Sequence, residues 1–201
     1  MKNFFLSIII LIFSFNSTLI HSHIGHYTNI NYLEYELFRN DKPIGYHTYN
    51  FKRKGDLLRI ESEVEFKITK LGVDLYRYQA SSIEEYIGNK FTKFSSITNQ
   101  NKKEKYVNIN LNELKNELII DGSSYKGPAS IESIVGTWWN HEIIDSLAQI
   151  SAISGRIIEQ KVIFLGEKQI DLNGKNYKAL HFKFISSDET LPNNKKLNTD
   201  I

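Results

Sequence analysis

The sequence contains no cysteine, and this absence excludes several classes of protein. Without a thiol there is no disulfide, no cysteine nucleophile, no cysteine-ligated zinc or iron–sulfur cluster, and no lipid-modified cysteine. A fold built from this chain must therefore be held together by core packing and by hydrogen bonds between strands.

An excess of charge of one sign is also missing, since 25 Lys and Arg stand against 23 Asp and Glu in 201 residues. Beyond residue 22 the chain has 24 basic and 23 acidic residues, a formal charge of +1. Nucleic-acid binding depends on clustered basic residues that neutralise phosphates, so we expect no nucleic-acid partner. With 41% apolar residues, the composition is that of a globular protein.

No hydrophobic run is long enough to span a membrane as a helix. The longest, Phe4–Phe15, covers 12 residues, whereas a spanning helix needs about 20. Lys2 precedes this run and the polar Asn16–Thr18 follows it, the order found in secretory signal peptides. We therefore expect residues 1–22 to be a signal peptide and residues 23–201 to form one periplasmic or secreted domain without a stable membrane span.

Alternation of apolar and charged residues with period two is the clearest structural signal. In residues 57–68 one face carries Leu58, Ile60, Val64, Phe66 and Ile68, and the other carries Arg59, Glu61, Glu63, Glu65 and Lys67. Further strands are predicted at 30–38, 44–53, 73–86, 90–100, 104–111, 116–121, 148–153, 156–165, 167–172 and 175–185. Short turns, among them Asn40–Pro43 and Gly166, separate consecutive strands and imply an antiparallel order.

Strand alternation stops between residues 129 and 147, where apolar residues recur at helical spacing. These residues are Ile131, Ile134, Val135, Trp138 and Trp139. The sequence therefore predicts a mainly β fold, in which a large curved antiparallel sheet, a half-barrel or barrel, surrounds one or two short helices near 129–147. A two-sheet sandwich is the alternative, and the two architectures differ in whether a cavity lies inside.

Several stretches resemble an uncharacterised family of exported bacterial proteins, a domain of unknown function. They are residues 35–47, Gly136–Asn140, Ser154–Gly155 and Val162–Gly166. The family is distantly similar to periplasmic lipoprotein carriers, which implies a curved β-sheet but no activity. In such proteins a segment like Leu197–Ile201 continues into further strands, so we expect this chain to lack its last one or two strands.

The adjacent indoles of Trp138 and Trp139, followed by Asn140, are the most distinctive local feature. Paired indoles stack on sugars or cover apolar ligands, and they also fill cores, with one ring inside the sheet and the other at its rim. Tyr76 and Tyr78 suit either a lipid pocket or ordinary cross-strand pairing. The candidate ligand-binding residues are therefore Trp138, Trp139, Asn140, Tyr76, Tyr78 and His47.

Catalytic and metal-binding patterns are weak. His141–Asp145 resembles the zinc-protease pattern, but aspartate replaces the second histidine, which favours a solvated helix face. His21, His23 and His26 could bind copper or nickel after signal cleavage, or could belong to a disordered leader. His47 and His181 would be bases only if a carboxylate and a nucleophile converged on them. The sequence therefore predicts no catalytic residue, no metal ligand and no cofactor.

The leading hypothesis is an extracytoplasmic protein that holds a lipid or another apolar or amphiphilic ligand in the curved sheet, beneath residues 129–147. The first alternative is a structural or protein-interaction module of the cell envelope. The second is a hydrolase with an unrecognised site around His47, His141 or His181. Positive support for an enzyme is absent from the sequence.

Overall fold

The computed structural model describes residues 27–172 and 174–201, which form two β-sheets. The first sheet contains β1 (Tyr32–Arg39), β2 (Lys42–Lys54), β3 (Leu57–Lys70), β4 (Val73–Ile87), β5 (Lys90–Gln100), β6 (Lys103–Asn112), β7 (Glu117–Gly122) and β8 (Lys126–Ser130). The second contains β9 (Ile134–Val135), β10 (Ala148–Ile150), β11 (Ile157–Leu172), β12 (Lys175–Ser186) and β13 (Asn198–Asp200). The predicted signal peptide and the histidines His21, His23 and His26 lie outside the described residues.

The eight-stranded sheet is an antiparallel meander in which each strand pairs with the next one along the chain. Two-residue turns join several of its strands. Asn40 and Asp41 between β1 and β2 have φ of 50° and 59°, and Asn101 and Lys102 between β5 and β6 have φ of 50° and 68°. Left-handed conformation at both turn residues matches the twist of the flanking strands, and Asn and Asp tolerate it better than most residues. The predicted turn after Arg39 is therefore confirmed.

One face of this sheet, which we call the inner face, carries the buried side chains predicted by the alternation in β3. Leu58 and Ile60 are buried there, whereas Glu63 and Lys67 on the opposite, outer face are exposed. At one level of the sheet, six buried residues are aligned across neighbouring strands. They are Phe51, Ile60, Glu84, Phe94, Ile109 and Ile120. Five of these side chains are apolar, and Glu84 is the exception.

The second sheet covers part of the inner face through its β9–β10 end. Val135 and Ile150 are buried with Phe94 and Val107 in one hydrophobic cluster. β9 and β10 pair in parallel, whereas the other strand pairs of both sheets are antiparallel. Farther along the second sheet, Phe184 is fully buried. The fold is therefore mainly β with a large antiparallel sheet, as predicted, but with a second sheet as in the sandwich alternative.

The region 129–147 differs from the sequence-based expectation. β8 continues to Ser130, β9 occupies Ile134–Val135, and a single turn of 3-10 helix spans His141–Ile144. The apolar spacing thus reflects an irregular segment packed on the sheet rather than α-helices. The Gly136 amide donates to the carbonyl of Ile150, and the backbone bonds within the segment, such as that from the Ile143 amide to the carbonyl of Asn140, close only single turns. In the described part of the chain, no helix has the length and apolar character required to cross a membrane.

Three further details of the predicted sheet need correction. The large sheet does not close into a barrel, since β1 and β8 are its two edges. β8 and β13 were not predicted as strands. The expected turn at Gly166 is a β-bulge inside the single strand β11, with φ of 109° at this glycine. Glycine adopts that conformation without a side-chain clash, so the strand continues past it.

Truncating Phe94 tests the core. Phe94 is 0% exposed, whereas Ile97 on the same strand is 57% exposed on the outer face. We expect Phe94→Ala to lower the free energy of unfolding by about 3–5 kcal/mol because it leaves a cavity, and Ile97→Ala to change it by less than about 1 kcal/mol. Urea unfolding followed by circular dichroism measures both. If Phe94→Ala does not fold, Phe94→Leu is the milder variant, and equal effects at the two positions would contradict the assignment of faces.

Candidate functional site

The carboxyl group of Glu84 is buried between the sheet and the segment that covers it. Glu84 is 2% exposed and lies on β4 between Ile60 and Phe94 of the neighbouring strands. Its oxygens accept hydrogen bonds from three neutral donors. These are the Tyr86 hydroxyl at 2.6 Å, Trp139 Nε1 at 2.8 Å and Thr137 Oγ1 at 3.1 Å. Among the described residues, none of the ion pairs involves Glu84.

This environment changes the acid–base properties of the buried groups. Burial raises the pKa of Glu84 above its ordinary value of 4.5, and the three donated hydrogen bonds oppose that rise. Burial, followed by the nearby Glu84 carboxylate, raises the pKa of the Tyr86 phenol well above 10.0. The Glu84 carboxyl is therefore easier to protonate in the folded protein than in the unfolded chain.

Residues 136–140, which we call the tryptophan loop, are fixed to the inner face on both sides of Trp138. Glu84 accepts hydrogen bonds from the side chains of Thr137 and Trp139. The carbonyls of the same two residues accept hydrogen bonds from the hydroxyls of Tyr49 and Tyr27, respectively. Two neighbours of Trp138 are thus held by both side chain and backbone.

Trp138 itself has a left-handed backbone, with φ of 66°. This conformation costs a residue with a Cβ atom roughly 1–2 kcal/mol, so the fixed neighbours must stabilise it. Trp139 is 3% exposed, whereas Trp138 is 40% exposed and makes an edge contact with Phe184 at 5.5 Å between ring centroids. The left-handed residue thus brings one indole into the core and leaves the next at the rim.

A small pocket lies between the tryptophan loop and the inner face. Its volume is about 130 Å³. Its lining includes His47, Val64, Tyr78, Ser82, Thr98 and Trp138. His47 Nε2 lies 3.0 Å from Ser62 Oγ, and burial lowers the pKa of His47 to about 4, so the imidazole is neutral at physiological pH. The pocket is therefore polar at its floor and aromatic at its rim.

Beyond the pocket, the inner face continues as a partly exposed aromatic surface. We call this the open half, and it consists of Tyr35, Val64, Phe66, Ile68, Tyr76 and Tyr78. The Phe66 ring stacks on Tyr78 at 4.9 Å and on Tyr76 at 5.8 Å between centroids. Tyr35 on the first strand is 49% exposed, and the other five residues are intermediate in exposure. Val64 and Tyr78 belong to both the open half and the pocket lining, so the two are continuous.

The structure brings three of the six candidate residues together. His47, Tyr78 and Trp138 line the same pocket, and Tyr76 is one ring away, on the other side of Phe66. Trp139 and Asn140 lie elsewhere. Trp139 is part of the core, and the buried Asn140 side chain caps the 3-10 helix by accepting a hydrogen bond from the Glu142 amide at 3.0 Å.

The other histidines do not join His47. His181 lies on β12, with Nε2 3.6 Å from a carboxylate oxygen of Asp200, and His141 starts the 3-10 helix, 6.0 Å from the Tyr27 ring. The hydrogen bonds of His47 involve Ser62 and Tyr49 and no carboxylate of the described residues. Over the same residues, no group of three or more His, Asp or Glu is arranged to hold a metal ion.

Sequence reasoning missed Glu84, although a signal for it was present. Alternation along β4 places Tyr76, Tyr78, Ala80, Ser82, Glu84 and Tyr86 on one face. A glutamate among aromatic and small residues is unusual there, because a carboxylate on a buried face needs hydrogen-bond partners. The strand pattern alone does not predict that two of those partners, Thr137 and Trp139, come from the tryptophan loop, 53 and 55 residues farther along the chain.

The variant Glu84→Gln tests the buried carboxyl. Because the pKa of Glu84 is raised in the folded state, its contribution to stability is complete below pH 4.5, the ordinary pKa. That contribution is lost as pH rises through the folded-state pKa. We therefore expect the free energy of unfolding of Glu84→Gln to increase relative to that of the wild type as pH rises above 4.5. Urea titrations at several pH values measure this difference, with Glu104→Gln, on the exposed edge of β6, controlling for loss of one carboxyl charge. A difference that decreases with pH would contradict the prediction.

Comparison with known proteins gives a family but no activity. No curated protein matches the chain, and no solved structure matches it either. Residues 35–199 match a domain of unknown function, DUF6134, and this range includes both the tryptophan loop and Glu84. Because the match covers more than half of its residues, the chain belongs to the DUF6134 family.

Proposed function

We propose that this protein binds an apolar or amphiphilic small molecule on the open half of the inner face, beside Trp138. The observation that carries the proposal is the change in burial along that face. Ile60 is 2% exposed where Trp139 packs in its cluster, and Phe94 is 0% exposed where the second sheet covers it, whereas Tyr35 is 49% exposed in the open half. Aromatic rings that bind no partner leave apolar area in contact with water, and covering that area is favourable.

The volume of the pocket determines how such a molecule would lie. Pockets that enclose drug-sized ligands have volumes of roughly 300–1,000 Å³, and the pocket beneath the tryptophan loop has about 130 Å³. A lipid does not fit inside it. We therefore place the apolar part of the ligand along Phe66, Tyr76 and Tyr78, with only one end in the pocket. This changes the sequence-based hypothesis, which placed the ligand beneath residues 129–147.

The proposal includes an extracytoplasmic location, periplasmic or secreted. It is supported by the charged, apolar and polar order of residues 1–22. A carrier or sensor of amphiphiles in that compartment needs no cofactor. Its specificity would come from the fit between the ligand and the inner face.

A second candidate, a structural or protein-interaction module of the cell envelope, is favoured by the small size of the pocket. The β11–β12 hairpin offers apolar side chains to such a partner, with Phe164 at 55% and Leu180 at 56% exposure. Chemical cross-linking in envelope fractions separates the two candidates, because a stoichiometric protein partner without a bound small molecule favours the second.

The binding proposal is tested with the uncharged fluorescent probe N-phenyl-1-naphthylamine and the purified full chain. We expect Phe66→Ala to weaken probe binding by about 5- to 10-fold, since it removes the ring that links Tyr76 and Tyr78. Ile97→Ala, which removes an exposed apolar side chain from the outer face, is the matched control and should leave affinity unchanged. Circular dichroism verifies that both variants are folded. Absence of probe binding by the wild type, or equal binding by both variants, would refute the proposal.

A further inference from the structure

Three serines form a row across the floor of the pocket. Ser62 on β3 is the register partner of Ser82 on β4, and Ser82 is the partner of Ser96 on β5. All three line the pocket, and Ser62 and Ser96 are only 8% and 7% exposed. This row lies next to the row that contains Ile60, Glu84 and Phe94. At this position the inner face therefore changes from an apolar core to a line of hydroxyl groups.

The hydrogen bonds of these serines leave one hydroxyl available. Ser96 Oγ donates to the carbonyl of Ala152 at 2.5 Å, and Ser62 Oγ lies 3.0 Å from His47 Nε2. Ser82, between them, makes no hydrogen bond through its side chain to any residue in the described ranges. Its hydroxyl therefore offers one donor and two acceptor lone pairs to the pocket.

The tautomer of His47 adds acceptor sites. The single hydroxyl proton of Tyr49 is donated to the carbonyl of Thr137, so in the 3.5 Å contact with His47 Nδ1 the imidazole must be the donor. A neutral imidazole has only one N–H, and Nε2 is then the acceptor for the Ser62 hydroxyl proton. The lone pairs of Ser62 Oγ remain unused by His47.

Charged side chains are absent from the pocket lining. Among the described residues, those that line the pocket include no Asp, Glu, Lys or Arg. Lys105, opposite Thr98 on the neighbouring strand, donates its amine hydrogen bond to Gln100 Oε1 at 2.7 Å and does not line the pocket. Moving a charged group into such a site is costly because nothing replaces its hydration, whereas hydroxyls satisfy an uncharged polar group.

We infer that the pocket binds the uncharged, hydroxyl-bearing head of an amphiphile whose tail lies on the open half. The Ser62–Ser82–Ser96 row hydrogen-bonds the head, and Trp138 covers it. This inference rests on the proposed function and narrows it to one ligand class, neutral hydroxylated amphiphiles such as monoacylglycerols. Anionic and cationic amphiphiles with the same tail should bind more weakly, because the pocket offers no charged partner to their head groups.

The test is displacement of N-phenyl-1-naphthylamine by three amphiphiles with 12-carbon chains, used below their aggregation concentrations. They are 1-monolauroylglycerol, laurate at about pH 8 and dodecyltrimethylammonium. We expect the monoglyceride to displace the probe at concentrations about 10-fold lower than either ion. Ser82→Ala should weaken monoglyceride binding by about 3- to 10-fold and leave laurate unchanged. Ser95→Ala, which removes a hydroxyl from the outer face of β5, is the matched control.

The outcomes separate this inference from the proposed function. If the probe binds and Phe66→Ala weakens it, but laurate or the cation displaces it as well as the monoglyceride does, the assignment of the head group is wrong while the binding face stands. An unchanged monoglyceride affinity in a folded Ser82→Ala would overturn the assignment in the same way. The comparison of three amphiphiles uses the wild-type chain, so it remains decisive if a variant does not fold. If the probe does not bind at all, both proposals are refuted.

Discussion

The buried carboxyl group of Glu84 joins the two parts of the structure at one point. It belongs to the large sheet, yet two of its three hydrogen-bond donors, Thr137 and Trp139, belong to the segment that covers this sheet. Burying a carboxylate without hydrogen-bond donors costs several kcal/mol of folding free energy. The covering segment therefore strongly prefers the one position on the sheet in which Thr137 and Trp139 reach Glu84. The placement of the small pocket and of both indoles follows from that position.

The same interaction explains how a strained residue is tolerated in the tryptophan loop. A left-handed tryptophan is unfavourable on its own, but Thr137 and Trp139 are each held by a side-chain and a backbone hydrogen bond. Two adjacent indoles consequently have opposite environments. Trp139 packs with the Tyr27, Phe51 and Tyr86 rings, whereas Trp138 lies where the covered part of the inner face ends.

Much of the large sheet could be predicted from sequence because its information is local. The alternation in residues 57–68 and the turn after Arg39 depend on neighbouring residues only, and the structure agrees with both. Trp138, Tyr78 and His47 could be chosen as candidates because aromatic and imidazole groups are chemically conspicuous. That His47 and Tyr78 line one pocket follows from strand register, which the sequence pattern limits but does not determine. Trp138 lies beside them because its neighbours Thr137 and Trp139 are hydrogen-bonded to Glu84.

The remaining features depend on contacts between distant residues. Residues 129–147 have apolar residues at helical spacing, but they form single turns and a short strand that pairs with β10. Tertiary contacts therefore override the local helical preference. A glycine such as Gly166 is typical of a turn, but a β-bulge also needs a residue that adopts positive φ. Glu84 resembles the many glutamates that face solvent, and only the alternation of β4 distinguishes it.

The order of strands in the large sheet has a consequence for how the chain reaches its native state. Because β1 to β8 pair strictly in sequence order, each hairpin closes a short loop, and the sheet is able to grow strand by strand. Val135, Thr137, Trp139 and Ile150 follow all eight strands along the chain. If the strands form in chain order, the sheet is complete before these residues dock on it, and its apolar side faces water until they do. A sheet in that state is open to self-association.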